Sequence, residues 1–431
     1  MADATTVTEQ SRHQAKTLAT HKSVFPLGEL PPLGHIPERM HAIVVRQERF
    51  GLPSQAFQLE EIAVPAIGER QVLVQVMAAG VNYNSVWAAS GQPVDVIAHR
   101  QRLGQPEAFH VPGSDASGIV WAVGPAVRGV AVGDHVVLST SRFDPHAEDI
   151  RMGADPILSS SLQAWGYETN YGSFAQYTVV DDYQCHPKPA RLSWAEAACY
   201  MLCGGTAYRQ LMGWPPNTVK PGDPVLIWGG AGALGSMAIQ ITRHAGGLPI
   251  AVVSDDSKID YCMRIGAKGV INRSKFSHWG LLPDLHDAAA LRAWLEQARA
   301  FGRAFWSELG EKRNPKIVLE HPGQATLPTS LYMCDGAGMV VLCGATSGYH
   351  GDLDLRFLWM RQKRLQGSHG ASLREYAAIN QLIAQGAIDP CLTQVVELEK
   401  AGELHDTMAA NQHPPGNFAV LVGAADQTAR T

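Results

Sequence analysis

Residues 224–243 read PVLIWGGAGALGSMAIQITR. The apolar run Val225-Leu226-Ile227-Trp228 stops at a glycine cluster, after which Leu234, Met237, Ala238 and Ile241 return at helical spacing. Gly230, Gly232 and Gly235 fit G-x-G-x-x-G in a strand-to-helix setting. The first glycine is expected to permit a tight turn, the second to let a pyrophosphate approach the backbone, and the third to let helix and strand pack closely. With Ala233 and Leu234 they would open a helix whose free N–H groups hold phosphates. The stretch implies a dinucleotide site in a strand–helix unit; a plain glycine turn is the alternative in a chain with 42 glycines.

Further strands are expected at 249–254, 269–271, 316–320 and 339–343, with helices between them, so the middle of the chain reads as a doubly wound parallel sheet. The segment ALRAWLEQARAFGRAFW (290–306) reads as an added amphipathic helix. Upstream, residues 41–205 alternate short β-type runs with turns. Val72, Val74 and Val76 suggest a half-buried strand, and the glycines and valines of 110–137 suit a twisted, barrel-like β domain. The stretch 139–166 reads as a long ordered loop near a site, because Trp165 and Tyr167 are costly to leave in water. Ser193–Leu211 has helical spacing. Residues 1–40 form a polar tail and a proline-rich extended segment. A nucleotide domain (206–365) inserted between two pieces of a β-rich domain (41–205 and 366–431) explains the order.

The 431 residues exceed what one small core organises, and two domains are the natural expectation. A formal net charge of −5 argues against nucleic acid as the main partner. The amino terminus lacks an apolar core of signal-peptide type, and no run of about 18 apolar residues would span a membrane, so the expected compartment is the cytosol. Seven scattered cysteines without a C-x-x-C pair read as free thiols and give no metal site.

The second strand bears on the cofactor. It ends at Ser254, about twenty residues past Gly235, where an NAD-preferring fold carries an acid. Ser254, Lys258 and Arg273 form a candidate pocket for a 2′-phosphate, which favours NADPH. Asp255 and Asp256 cut the other way unless they face solvent; a turn serine among solvated charges is the plain alternative.

Residues 110–137 resemble the medium-chain dehydrogenase/reductase superfamily through Gly113, Asp115, Gly118, Val120, Val123, Gly124, Gly133, Asp134 and Val136. The superfamily's zinc enzymes carry a cysteine where this chain has VNYN (81–84), and a four-cysteine lobe; both are absent here, so the chain looks like the zinc-free branch. The match narrows to the crotonyl-CoA carboxylase/reductases through PPLGHIPERMHA (31–42), MAAGVNYNSVWA (77–88), PGSDASGIVWAVG (112–124), WGYETNYGSFAQY (165–177), EAACY (196–200), GAKGVINR (266–273), EHPG (320–323), LWMRQKRLQGSH (358–369) and NQHPPGN (411–417).

That resemblance implies a GroES-like β-rich catalytic domain and a Rossmann domain. It also implies a reaction: NADPH gives hydride to the β-carbon of a 2-enoyl-CoA, and the α-carbon enolate attacks CO2. The family's CO2 pocket carries over to Asn82, Tyr167, Glu168 and His369, with Glu168 fixing the His369 ring directly or through water. Arg356, ahead of Arg361, Lys363 and Arg364, is the preferred coenzyme A contact. Short-chain members continue Phe-Ala-Asn after the histidine, whereas this chain reads Gly370-Ala371-Ser372. With Gly204 and Gly205 in a helix, this suggests an enlarged acyl pocket, unless Met201 or another large neighbour refills the space. The rival readings are a plain enoyl-CoA reductase and a non-catalytic nucleotide-binding protein. The resemblance also implies a homotetramer built as a dimer of dimers.

Overall fold

The computed structural model describes residues 22–424; residues 1–21 of the polar and proline-rich stretch expected over 1–40, and the last seven residues of the piece expected over 366–431, lie outside them. The glycine motif sits on the middle of a six-stranded parallel sheet. Its strands lie in the order Gly269–Asn272, Leu248–Val253, Pro224–Trp228, Ile317–Glu320, Met339–Leu342, Arg364–Gly367. In chain order this is 3-2-1-4-5-6, so the order reverses between Pro224–Trp228 and Ile317–Glu320, where an open α/β sheet has its crevice. Pro224–Trp228 is buried along its whole length, as a strand covered on both faces by helices must be. The last strand carries the sheet to Gly367, past the edge expected at 365.

The amphipathic segment forms one helix, Ala288–Leu309. It runs from the Asp287 cap, which accepts from Ala290 N–H at 2.9 Å, to Gly310 at φ 84°. It is not an addition to the sheet: it is the cover on one face, burying Trp294, Phe301, Phe305 and Leu309. Phe301 stacks on Trp228 with ring centroids 5.6 Å apart and 2° between planes. Each such side chain withdrawn from water contributes roughly 1.5–3 kcal/mol.

The second sheet has seven strands, six in the order Leu392–Glu397, Asn417–Leu421, Gln71–Gly80, Ala116–Val123, His135–Leu138, Cys185–Pro187, with Tyr177–Asp181 also pairing to Gln71–Gly80. All pairs are antiparallel except the first. Gln71–Gly80 is buried from Val72 onward rather than half-buried. Val72, Val74 and Val76 enter one core, while Leu73 enters another on the opposite face. The proline-rich segment lies along this body: Gln176 Nε2 donates to the carbonyl of Phe25 at 2.9 Å, and Trp121 Nε1 to that of His35 at 2.7 Å. Trp165 is buried, its indole donating to Thr178 Oγ1 at 3.2 Å. The expected 193–211 helix is two, Trp194–Ala197 and Met201–Met212.

Candidate active site

A cavity of about 450 Å³ lies between the two sheets and takes walls from both. The Rossmann-type side supplies Gly232, Ala233, Leu234 and Gly235. Three glycines have three different reasons. The left-handed turn falls on Gly229 (φ 60°), one residue before the glycine expected to make it. Gly230 faces the sheet, where a Cβ would stand 2.5 Å from that of Ala251. A Cβ on Gly235 would lie 2.6 Å from Gly230 Cα, so this glycine lets helix and strand touch. At Gly232, the N-cap of the Ala233–His244 helix, a Cβ would meet only the Gly229 carbonyl, at 3.4 Å. The space above Gly232 is the cradle into which a phosphate fits.

Ser254, Lys258 and Arg273 line the same cavity, with Lys258 Nζ donating to Ser254 Oγ at 3.4 Å. Asp255 and Asp256 are exposed and turned to local work. Asp255 accepts from Ser257 N–H at 2.8 Å, and Asp256 from Asn272 Nδ2 at 2.9 Å while pairing with Lys275. The pocket therefore presents cations and a hydroxyl, a donor set that fits a phosphate better than ribose hydroxyls.

On the opposite wall Asn82, Tyr167 and His369 are brought together with Gly370. Asn82 follows strand Gln71–Gly80, its carbonyl accepting from Ser85 N–H at 3.1 Å and its side chain buried. Tyr167 stands 6.4 Å from Trp87, ring to ring; burial, then Glu168, push its phenol up to about 12, so it stays protonated. Glu168 does not line the cavity: its carboxylate accepts from Ala164 N–H at 2.6 Å, closing its own turn, and makes no direct bond to His369.

Three other candidates lie outside the cavity. Gly204 and Gly205 do not line the cavity. A Cβ on Gly204 would stand 2.8 Å from Ile379 Cγ1, and one on Gly205 2.6 Å from Tyr376 Cδ1, so both glycines serve the packing of helix Met201–Met212 on helix Leu373–Ala384. Arg356 is also away from the cavity, exposed on helix Leu355–Trp359, with its guanidinium forked onto Asp354 at 2.9 and 2.7 Å. Lys363 is spent on carbonyls of Leu331 and Tyr332.

Cys203, Trp87, His321 and His413 line the cavity without having been singled out for it. His321 and His413 lie in EHPG and NQHPPGN, so motif position was a signal; nothing local marks Cys203. Beside His321, Glu320 is buried at the end of the central strand. It accepts from Thr326 Oγ1 at 2.7 Å, from Gly323 N–H at 3.1 Å and from Ser330 Oγ. Burial outweighs these donors and holds its carboxyl up at about 7. Among the described residues no three His, Cys, Asp or Glu side chains are grouped to hold a metal ion, and no helix is long and apolar enough to cross a membrane.

Comparison with known proteins agrees with this architecture. The model of the alcohol dehydrogenase GroES-like domain matches residues 68–190, and that of the zinc-binding dehydrogenase matches 233–385. Crotonyl-CoA carboxylase/reductase of Cereibacter sphaeroides is 47% identical over 413 residues, 96% of this chain and 94% of that protein. Crotonyl-CoA reductase of Streptomyces collinus is 36% identical over 91% of this chain and 90% of its own. Among solved structures, crotonyl-CoA carboxylase/reductase AntE in complex with NADP has a TM-score of 0.90 at 61% identity, covering 94% of this chain and 100% of that one. The 2-octenoyl-CoA carboxylase reductase CinF, in complex with NADP and 2-octenoyl-CoA, has a TM-score of 0.83 at 36% identity over 92% and 90%. The identity extends over nearly the whole chain and takes in both sheets and the cavity between them: this protein belongs to the crotonyl-CoA carboxylase/reductase family.

Proposed function

We propose that the chain catalyses NADPH-dependent reductive carboxylation of a 2-enoyl-CoA to an alkylmalonyl-CoA. One observation carries this: Asn82, Tyr167 and His369 share a single cavity with the Gly232 cradle and the Ser254–Lys258–Arg273 cluster. NADPH supplies the hydride for the β-carbon. The protein's part is to leave the resulting enolate beside CO2 and away from proton donors. The Asn82 amide and a ring N–H of His369 are suited to the weakly negative CO2 oxygens, being donors that do not readily protonate carbon. Tyr167, kept neutral by burial, walls the pocket with Trp87. Glu168 acts by holding the Ala164–Glu168 turn that carries Tyr167.

Coenzyme A is longer than a cavity of this size, so its nucleotide end extends outside, where the exposed Arg356 is the proposed phosphate contact. Gly370 lines the acyl side; with no side chain there, the reading favours enoyl chains longer than crotonyl. The names of the relatives, one of them solved with 2-octenoyl-CoA, support the substrate class. Self-association is part of the proposal. The outer edge of Arg364–Gly367 ends the parallel sheet, and Leu355, Trp359 and Met360 stand exposed near it in the chain. Pairing of nucleotide domains there would bury this apolar surface in a dimer of dimers. Seven free thiols suit a reducing compartment such as the cytosol.

The test is NADPH oxidation with crotonyl- and octenoyl-CoA, with and without bicarbonate plus carbonic anhydrase, with products identified by mass. Alkylmalonyl-CoA under CO2 is the expected product. Saturated acyl-CoA alone under saturating CO2 would leave a plain enoyl-CoA reductase, and no oxidation a non-catalytic binder.

A further inference from the structure

The Asn82 carboxamide is held at its oxygen end by a buried group from elsewhere in the chain. On the oxygen side, the Cys203 thiol donates to Asn82 Oδ1 with Sγ and Oδ1 3.1 Å apart. On the nitrogen side the amide faces Asp115, a carboxylate with no exposed surface. Asp115 Oδ2 accepts from Leu202 N–H at 3.2 Å, at the start of helix Met201–Met212, and Oδ1 is buried with no hydrogen-bond partner among the described residues.

We propose that Cys203 is a positioning residue that sets the orientation of the Asn82 amide, so that its N–H end is left for a CO2 oxygen in the cavity. This rests on the reading of Asn82 as a CO2 holder. A carboxamide has one acceptor end and one end with two donors. A thiol offers its proton to an oxygen, so the flip state with Oδ1 toward Cys203 is the one that satisfies it. Turned by 180°, Asn82 would lose the thiol donor. Burial and the neighbouring Asp115 push the Cys203 thiol up, which keeps its proton in place. With Oδ1 held by Cys203, the two amide N–H groups are the end of the carboxamide left to serve the cavity. Cys203 itself lines the cavity, so its contact with Asn82 forms part of the wall.

The experiment compares Cys203→Ala, Cys203→Ser and Asn82→Ala in the full-length enzyme. The readouts are the ratio of alkylmalonyl-CoA to saturated acyl-CoA, the half-saturating CO2 concentration, and KM for NADPH. Cys203→Ala is expected to raise half-saturating CO2 roughly fivefold, as loss of one modest hydrogen bond would. The product should move toward saturated acyl-CoA with KM for NADPH unchanged, and Cys203→Ser, which restores a donor, should recover most of the ratio. If alanine and serine both match the wild type, or both fail equally, the positioning role is overturned and Cys203 is only packing. If Asn82→Ala keeps the wild-type ratio, the CO2 reading of Asn82 itself falls, and that outcome is distinct from failure at Cys203 alone.

Discussion

A methyl group on Gly205 would stand 2.6 Å from Cδ1 of Tyr376 and 3.1 Å from Cβ of Ala371. Glycine inside a helix costs about 1 kcal/mol relative to alanine, and here that cost is offset by the closeness of the two helices. Gly205→Ala is therefore expected to destabilise the protein by roughly 1–3 kcal/mol, through overpacking, instead of gaining helix propensity. Thermal unfolding measures it. The ratio of kcat/KM for octenoyl- and crotonyl-CoA should stay as in the wild type, since the substituted position is outside the cavity. A change in that ratio with unaltered Tm would return Gly205 to the substrate pocket.

Gly370 is different in kind. It lines the cavity at φ 63°, and a Cβ there would sit 3.2 Å from Ser141 Oγ and 3.4 Å from Ile157 Cδ1. With Ser141 and Ile157 this close, a larger side chain would have to turn its γ-carbons toward the cavity, where each acyl methylene displaced is worth about 0.8 kcal/mol. Gly370→Val is expected to lower kcat/KM for octenoyl-CoA roughly tenfold more than for crotonyl-CoA. It should also cost about 1–2 kcal/mol of stability for the left-handed backbone. A wild-type profile that falls steadily from crotonyl- through hexenoyl- to octenoyl-CoA, unchanged in the variant, would remove Gly370 from chain-length selection.

The contrast between these two glycines marks how far the sequence could be read. Five strands of the parallel sheet were legible because each is an apolar run stopped by turn chemistry, and Gly232 because its motif belongs to a strand–helix junction; the sixth strand, Arg364–Gly367, reads RLQG and offers no such run. That Gly204 and Gly205 needed a reason was also legible. The reason was not, because Tyr376 and Ile379 lie about 170 positions on and meet them only after folding. Val72, Val74 and Val76 showed alternation, but alternation describes one face; the cover over Leu73 comes from Met40 and Val44, on another strand. Arg356 was grouped with neighbouring cations by sequence distance, yet Asp354, two residues away, takes its guanidinium. The Cys203–Asn82 bond joins positions 121 apart, with no pattern at either to announce it.

The cofactor pocket makes a selective prediction. Arg273 and Lys258 line the cavity beside Ser254, while both neighbouring aspartates are turned away. A charged hydrogen bond to phosphate is worth about 1.5–3 kcal/mol, so Arg273→Ala should raise KM for NADPH by roughly ten- to a hundredfold. KM for NADH, which lacks the 2′-phosphate, should change little. Steady-state kinetics with both cofactors decide it, and an equal loss for both would place Arg273 elsewhere than at the 2′-phosphate.

Acid sensitivity follows from histidines buried in the neutral state. His405 has no exposed surface, packs against Phe57 and Phe174 with centroids 5.2 and 5.4 Å away, and shares a hydrogen bond with Ala401 O at 2.6 Å. Burial holds its imidazole down to about 4, and His110, equally enclosed and near Arg100, to about 3. A histidine with a depressed folded pKa gives stability that is present above its unfolded value, near 6.5, and is lost as pH falls toward 4. For His405 that loss reaches about 3 kcal/mol below pH 4. Glu320 acts oppositely: raised to about 7, it favours the folded state below about 4.5 and loses that contribution as pH rises through 7. Burial holds His186, His278 and His321 down to about 4 in the same way, so the buried histidines together outweigh the raised carboxyls of Glu320 and Asp115 between pH 6.5 and 4.5, and Tm should drop on acidification across that window. In His405→Leu the drop should be shallower, because leucine fills the apolar site without a proton to take up and leaves no unpartnered Nε2. Tm profiles of equal slope for the two proteins would show that His405 does not govern the acid limb.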